Sequence, residues 1–199
     1  MKETAEELRA NILSSAIALF IEKGVEKVTT RELTERVGIS RSHIYHYFRD
    51  WQTLCLEALT VYMQADLDNL KARVAGLPAR EQLRLLINNY LPEVQDAVWQ
   101  LYGSLWQLAV HNEDYAALAR LMVDRWQQLM ADIIAAGIDE GMFSSRDPAR
   151  ITRQLGAIVN GYSDLLIVEP SASARQQAME DIDAFIAQVL LTPPAAASR

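Results

Sequence analysis

The stretch TTRELTERVGISRSHIYHYF, from Thr29 to Phe48, decides the fold of this chain. Thr29 and Glu32 have the spacing of a capping box, which predicts the start of a helix, and Gly38 predicts its end. Ser40 suits the N-cap of a further, very short helix that carries the letters RSHIYHYF. Two short helices joined by a turn of about three or four residues that contains glycine indicate a helix-turn-helix.

The side chains of this helix pair divide into an inner and an outer set. Leu33, Val37 and Ile44 fall where the two helices meet, so we expect them to hold the pair together. Polar side chains fall on the outer side of the shorter helix, namely Arg41, Ser42, His43 and His46. The spacing therefore predicts a polar surface that faces a binding partner.

The whole run TTRELTERVGISRSHIYHYFRDWQTL, preceded by a helix ending LFIEKG, resembles the DNA-binding domain of TetR-family transcriptional regulators. The resemblance covers roughly residues 8 to 56 and rests on the paired threonines, Gly38, the IYHYF segment and Leu54. It implies an all-α protein in which a three-helix N-terminal DNA-binding domain precedes a larger helical bundle. In that family the bundle encloses a ligand and forms the dimer.

Two positions depart from the family pattern. Alanine is common where this chain has Thr34, a mild change if the Thr34 hydroxyl bonds a backbone carbonyl. Lysine is common where this chain has Trp51, and an indole cannot replace the phosphate contact of an ammonium group in the same way. The indole N–H can donate one hydrogen bond there instead.

Position within the motif indicates a role for each polar side chain. Hydroxyl groups of threonine and tyrosine suit phosphate oxygens, and the positive ends of two helices, near Thr30 and Ser40, favour the same backbone. Arginine and histidine side chains suit base edges in the major groove. The predicted DNA-binding residues are Thr29, Thr30, Arg31, Ser40, Arg41, Ser42, His43, Tyr45, His46 and Tyr47.

Other roles are open to some of these aromatic and charged residues. Phe48 is expected in the core, and Tyr45 could lie there as well. His43 and His46 could bind a metal, but no third ligand has a recognisable spacing, so we predict no metal site. Arg36 fits a solvated or phosphate-facing charge better than a base reader.

Charge is unevenly distributed along the chain. The net charge is −7, yet residues 1–50 carry eight basic and eight acidic side chains and are neutral overall. The whole negative balance therefore lies after residue 50. An acidic protein can still bind nucleic acid when its basic side chains are set apart in this way.

The rest of the chain is predicted to be helical as well. Glycine and proline fall between periodic segments and no strand-like alternation occurs, which predicts about nine helices. The expected domains are residues 1–50, a helical domain over 51–192, and a disordered tail over 193–199. Cys55 is the single cysteine, which excludes an intramolecular disulfide and favours a reducing cytoplasm. No apolar run is long enough to span a membrane.

The segment from WQLAVHNEDY to NGYSDLL is similar to the C-terminal domain of BetI-type regulators. Aromatic residues at helical spacing predict a ligand cavity with polar orienting groups, although an aromatic stripe can equally be core. The predicted ligand-binding residues are Tyr90, Trp99, Tyr102, Trp106, Gln107, His111, Trp126, Asn160, Tyr162 and Asp164. Aromatic faces in an acidic domain favour a cationic or aromatic effector.

Two C-terminal segments suit a dimer interface. Their apolar side chains lie on broad faces, and small residues nearby would let another helix approach closely; the alternative is a core within one chain. The predicted interface residues are Leu155, Ile158, Val159, Tyr162, Leu166, Ile182, Phe185, Ile186 and Val189. A two-fold dimer implies operator half-sites about 34–36 Å apart and a near-palindromic sequence.

The sequence therefore predicts a dimeric, ligand-responsive and sequence-specific transcriptional regulator, most often a repressor in this family, without a cofactor. One alternative is a helical interaction module that no longer reads DNA. Another is an enzyme, since Ser163, Asp164 and His111 are residue types used in nucleophilic catalysis. No G-x-S-x-G motif, phosphate-binding loop or zinc spacing supports the enzyme.

Overall fold

The computed structural model describes residues 4–94, 97–145 and 147–191. Within these ranges the chain is built from nine α-helices and contains no strand, which confirms the all-α prediction. The helices are α1 (Ala5–Lys23), α2 (Thr30–Val37), α3 (Arg41–Tyr47), α4 (Trp51–Val74), α5 (Ala79–Tyr90), α6 (Ala97–His111), α7 (Glu113–Asp139), α8 (Pro148–Val168) and α9 (Ala172–Ile186). A 3-10 turn, Val25–Lys27, follows α1, and a π-helical segment, Ala187–Leu191, continues α9.

The described residues form two compact units. The first comprises residues 4–66 and 97–122, and the second comprises residues 67–94 together with the described part of 123–191. The division of the chain into domains at residue 50 stays a prediction. The tail predicted over 193–199 lies outside the described residues.

Helix α1 begins and ends as its sequence indicates. The Thr4 backbone N–H donates to the Glu7 carboxylate at 2.8 Å, and the Glu7 N–H donates to the Thr4 hydroxyl at 3.1 Å, which completes a capping box. Gly24 ends the helix with φ 88° and ψ 145°, a positive φ that favours glycine. Its backbone leads into the 3-10 turn.

The core of the first unit joins the N-terminal helices to α6. Ile12, Ala16 and Phe20 of α1 are buried, and they belong to the same apolar cluster as Leu101 and Leu105 of α6. Helix α1 contacts both α2 and α6. The helix-turn-helix is therefore supported by a helix from later in the chain.

The second unit has its own core, to which α5, α7, α8 and α9 contribute. Leu86, Ile134, Leu155 and Ile182, one from each of these helices, have no exposed surface. Burial of this kind contributes about 1.5–3 kcal/mol per large apolar side chain, which holds the helices together. Over the described residues, no helix is sufficiently long and apolar to cross a membrane.

Candidate DNA-binding interface

The turn between α2 and α3 depends on Gly38. Its φ of 77° and ψ of 29° lie in the left-handed region, where a side chain would be strained. The N–H groups of Gly38 and Ile39 both donate to the Thr34 carbonyl, at 2.9 and 3.2 Å. This arrangement stops α2 and redirects the chain into α3 within three residues.

The inner faces of the two helices meet as predicted. Leu33 and Ile44 have no exposed surface, and Val37 packs against the same cluster. Because these side chains fix α2 against α3, the opposite side of α3 is left on the protein surface. The helix-turn-helix prediction is confirmed.

Side-chain caps fix the first turns of both helices. The Glu32 carboxylate accepts from the Thr29 N–H at 2.8 Å and from the Thr29 hydroxyl at 2.9 Å, while the Glu32 N–H donates back to that hydroxyl. The Lys23 ammonium group also donates to the Glu32 carboxylate, at 2.7 Å. This bond, together with the bonds from Thr29, lowers the pKa of Glu32 to about 2. On α3, the Ser40 hydroxyl accepts from the His43 N–H at 3.2 Å. Both cap predictions are confirmed.

A pair of hydroxyl groups joins the start of α2 to the middle of α3. The Thr30 and Tyr45 hydroxyl oxygens lie 3.3 Å apart, and the Tyr45 side chain is half-buried. Next to this pair, an open depression of about 450 Å³ is lined by Thr29, Thr30, Arg31, Thr34 and Arg41. Hydroxyl and guanidinium groups around one depression provide donors for an anionic group such as a phosphate.

The outer face of α3 is an exposed array of polar and aromatic side chains. Arg41, Ser42, His43 and His46 are all exposed. The Arg41 guanidinium lies 5.6 Å from the centre of the Tyr45 ring, a cation–π contact. The His43 ring stacks on Tyr47 at 5.7 Å, and His46 meets the same ring edge-on at 5.5 Å.

Ion pairs engage several of the predicted basic residues. Arg31 donates to Glu35 at 2.8 Å, which raises the pKa of Arg31, and Arg36 donates to Glu22 at 2.7 Å. Arg41 takes part in no ion pair among the residues that the structure describes. Its guanidinium is therefore the most available of these three for a base edge.

The two departures from the family pattern have a structural explanation. The Thr34 hydroxyl donates to the Arg31 carbonyl at 2.7 Å, so its polar group is satisfied. The Trp51 ring meets Phe20 edge-on at 6.4 Å and packs against the first core. Phe48 is 1% exposed, which confirms its place in the core.

The first helical turn of α4 has its own cap. The Asp50 carboxylate accepts from the Thr53 N–H at 2.7 Å and from Arg49 at 2.9 Å. These bonds, first of all the one from the Thr53 backbone, lower the pKa of Asp50 to about 2. The Asp50 carboxylate therefore caps the start of α4. No group of three potential metal ligands occurs within the described ranges.

The predicted ligand-binding residues of the first unit fall on α6. Trp99, Tyr102 and Trp106 follow one another with ring centres 5.8 and 6.5 Å apart, and Tyr102 is buried. The Tyr102 hydroxyl donates to the Asp66 carboxylate at 2.9 Å, a partner that sequence spacing gave no signal for. Gln107 and His111 are exposed, so they do not line an enclosed cavity.

The remaining predicted ligand-binding residues lie in the second unit. Tyr90 meets the buried Trp126 edge-on at 5.3 Å, and the Tyr162 hydroxyl donates to Asp181 at 2.5 Å. Asn160 and Asp164 are exposed on α8. Their predicted role as orienting groups stays a prediction.

The apolar residues predicted for the dimer interface divide into two sets. Leu155, Val159, Leu166 and Ile182 are buried in the core of their own chain, which is the alternative considered from the sequence. They are not available on the surface of one protomer. The half-buried set consists of Ile158, Tyr162, Phe185, Ile186 and Val189.

The exposed side of α8 was missed by the sequence analysis. Leu165 is 68% exposed and Val168 is 80% exposed, and both lie on the side opposite the core. Ala157 and Gly161 precede Leu165 by eight and four residues, which places all of these on one exposed stripe of the helix. The two large exposed side chains were indistinguishable from core residues in the sequence, because the apolar pattern of α8 is nearly continuous.

The residue types considered for catalysis are not joined into a catalytic group. Ser163 is 3% exposed and its hydroxyl has no hydrogen-bond partner in the described structure. Asp164 and His111 are both exposed. A nucleophilic serine needs a base within hydrogen-bond reach, and none is bonded to Ser163.

An all-α fold with a capped helix-turn-helix and an exposed polar recognition helix defines a DNA-binding regulator. Residues 12–58 match the family model of bacterial regulatory proteins of the tetR family. Residues 79–191, more than half of the chain, match the C-terminal domain of BetI-type transcriptional repressors. The chain belongs to the TetR family of ligand-responsive transcriptional regulators.

Similar proteins of known sequence are also transcriptional regulators. The repressor KstR2 of Rhodococcus jostii is 25% identical over 140 residues, which cover 69% of this chain and 68% of the relative. The regulator AcrR of Shigella flexneri is 24% identical over 204 residues, and this match covers 96% of this chain and 94% of the relative. The repressor Rv1474c of Mycobacterium tuberculosis is 44% identical over 46 residues, or 23% of this chain.

A similar fold is found in a transcriptional regulator from Saccharomonospora viridis, solved in complex with choline. Its TM-score is 0.80 at 23% identity, and the match covers 93% of this chain and 98% of the other. A TetR regulator from Haloarcula marismortui has a TM-score of 0.79 at 19% identity over 93% of this chain. At such identities the likeness concerns the fold.

Proposed function

We propose that this regulator is a homodimeric repressor that binds a near-palindromic operator through α3 and responds to a small cationic effector. The observation that carries the DNA-binding part is the outer face of α3, where the exposed Arg41 lies beside two exposed histidines and forms no ion pair with any described residue. A protein that binds an operator acts where chromosomal DNA lies, in the bacterial cytoplasm.

Each predicted DNA-binding residue has a role in this proposal. Arg41, His43, Ser42 and His46 contact base edges, because they lie on the exposed side of α3. The hydroxyl groups of Thr30, Tyr45 and Tyr47 contact phosphate oxygens and set the register of the protein on the duplex. Thr29 and Ser40 act through the helix starts that they cap, and Arg31 adds charge at the depression that it lines.

The exposed stripe of α8 supports a dimer. Leu165 is 68% exposed and Val168 is 80% exposed. A second copy that covers these apolar side chains removes them from water, which stabilises the dimer. Gly161 lies four residues before Leu165, and its small size lets a second helix approach. Phe185 and Val189, in α9 and its π-helical extension, are half-buried and stay part of the proposed interface.

The effector is proposed to be a cation of the quaternary ammonium class. The related fold from Saccharomonospora viridis binds choline, and here Trp99, Tyr102 and Trp106 form an aromatic row next to the Asp66 carboxylate. Aromatic faces together with a carboxylate attract a quaternary ammonium group. To change operator affinity a hundredfold, the effector must supply about 2.7 kcal/mol of coupling between the two sites.

In vitro selection of bound DNA fragments tests the DNA-binding part. The selected sequences should form a near-palindrome, with half-sites about 34–36 Å apart between their centres. Affinity for the selected site should fall steeply and linearly on a log–log plot against salt. A pool without a consensus, with no preference over scrambled DNA at low salt, would leave the interaction-module alternative in place.

Calorimetric titration with choline, and with its neutral isostere 3,3-dimethylbutanol, tests the effector. We expect heat of binding from choline and none from the isostere, because only the cation gains from the aromatic faces. Replacement of Trp106 by leucine should weaken the binding, and the exposed Val110→Ala serves as the control on the same helix. Equal binding of choline and isostere would remove the cationic class.

A further inference from the structure

A second cavity lies in the C-terminal unit, and its lining contains no residue predicted to bind the effector. It has a volume of about 330 Å³, at the lower end of the range of about 300–1,000 Å³ usual for small-molecule sites. Helix α5 forms one wall through Leu83 and Ile87, and α9 forms the other through Met179 and Ile186. None of the ten predicted effector residues lines this cavity, so it is a separate feature.

The floor of the cavity is apolar and well packed. Leu83, Ile87 and Phe143 are 2%, 1% and 4% exposed, so little of each side chain reaches solvent. Phe143 is held by the turn after α7, where the N–H groups of Met142 and Phe143 donate to the Gly137 carbonyl at 2.8 and 2.9 Å. A floor of this composition favours an apolar ligand body.

Two arginines stand at the rim of the same cavity. Arg80 and Arg84 are four residues apart on α5, so both guanidinium groups reach the same side. Both side chains are exposed, and neither takes part in an ion pair within the described ranges. Among the described residues that line the cavity, Asp183 is the one acidic side chain, so their charges sum to one positive in a chain of net charge −7.

The wall on the α9 side is irregular. The segment Ala187–Leu191 is π-helical, and both of its end residues line the cavity. The Leu190 carbonyl accepts from the Ser144 N–H at 2.7 Å. Single-turn π-helical segments are found frequently at functional sites, because the widened turn re-aims side chains and carbonyls.

From these observations we infer that this cavity, which we call the α5–α9 cavity, binds a small anionic amphiphile. The apolar body of the ligand would lie on the floor formed by Leu83, Ile87 and Phe143. Its carboxylate would bind Arg80 and Arg84 at the rim. The cavity admits the apolar body of a medium-length carboxylic acid. The paired guanidinium groups supply charge-assisted donors for its head group. The net positive rim disfavours amines, so this ligand class is opposite in charge to the proposed effector.

Calorimetric titration with octanoate tests the inference on the full-length protein. Octanoate should bind, whereas octanol, which has the same chain without the charge, should bind about tenfold more weakly. The double variant Arg80→Gln/Arg84→Gln should bind octanoate about tenfold more weakly than the wild type does. The matched control Arg150→Gln/Arg153→Gln removes two exposed charges from α8, outside the cavity, and should keep the affinity of the wild type.

The variant Asp183→Asn gives a result that misfolding cannot imitate. Because it removes a carboxylate that lines the cavity, it should strengthen octanoate binding about threefold. Choline binding should be the same in all of these variants, which separates this cavity from the proposed effector site. The inference is overturned if octanoate shows no binding at about 1 mM, or if the cavity and control variants bind it equally.

Discussion

Helices α3 and α8 each have one buried and one exposed side, but their exposed sides differ in chemistry. The exposed side of α3 holds Arg41, His43 and His46, which stay well hydrated in the free protein. The exposed side of α8 holds Leu165 and Val168, which are apolar and poorly hydrated. The first kind of surface suits a charged, hydrated partner such as a DNA groove, and the second suits a protein partner.

The largest effect is expected from two leucines of α8 that differ in exposure. Leu155→Ala should lower the free energy of unfolding by about 2–5 kcal/mol, because the buried side chain leaves a cavity in the core. Leu165→Ala should change it by less than about 0.5 kcal/mol at low protein concentration, where dimers contribute least. Urea unfolding measures both values.

The same leucines separate core from dimer interface. Leu165→Glu should shift the protein toward monomer in analytical ultracentrifugation, since a charge on the stripe opposes its burial. If Leu165→Glu leaves the dimer intact, the assignment of the exposed stripe to the interface is wrong.

A smaller effect is expected at a glycine that lies against an aromatic ring. A Cβ atom at Gly137 would lie 2.1 Å from Cδ2 of Phe143, so Gly137→Ala should destabilise the protein by roughly 1–3 kcal/mol through overpacking. Gly103→Ala on α6 has open space and should stabilise the protein by up to about 1 kcal/mol. Thermal unfolding measures the stability of both variants. If Gly137→Ala and Gly103→Ala change the stability in the same direction, the described packing of Gly137 against Phe143 is contradicted.

Two helix caps test whether local stability is coupled to DNA binding. Thr29→Ala and Ser171→Ala each remove a side-chain cap and should each cost about 1 kcal/mol of stability. Only Thr29→Ala should also weaken operator binding, since α2 begins at the proposed DNA contact and α9 lies in the other unit. An electrophoretic mobility shift assay gives the affinities, and equal loss in both variants would contradict this separation.

The smallest effect concerns alkaline pH. Burial raises the pKa of Cys55 to about 12, whereas a free thiol ionises at about 8.5. Because the folded pKa is raised, the contribution of Cys55 is complete below about pH 8.5 and is lost as the pH rises toward 12. The urea midpoint of the wild type should therefore fall more between about pH 8 and 10 than that of Cys55→Ala. If the urea midpoints of the two proteins fall equally over this pH range, ionisation of the Cys55 thiol does not contribute to the loss of stability.

The helix-turn-helix could be predicted from sequence because its signals are local. Capping residues lie three positions from their targets, and Gly38 has a backbone conformation that other residues avoid. Such signals need no knowledge of distant parts of the chain.

The C-terminal sites could not be predicted to the same degree, because apolar periodicity does not tell a core side chain from an exposed one. Leu155 and Leu165 lie on one helix and have the same chemistry, yet the first is fully buried and the second is 68% exposed. Contacts between distant residues, such as Tyr102 with Asp66 or Arg175 with the Leu91 carbonyl, also leave no trace in local spacing. Only the packing of the helices decides them.

The most direct test of the account compares two arginines of the helix-turn-helix. Binding to the selected operator and to scrambled DNA is measured for the wild type, for Arg41→Ala and for Arg36→Ala, whose guanidinium is paired with Glu22. We predict that Arg41→Ala lowers the preference for the operator by the equivalent of about 1–3 kcal/mol, while Arg36→Ala keeps it. An unchanged preference in Arg41→Ala would contradict the claim that the outer face of α3 reads the DNA sequence.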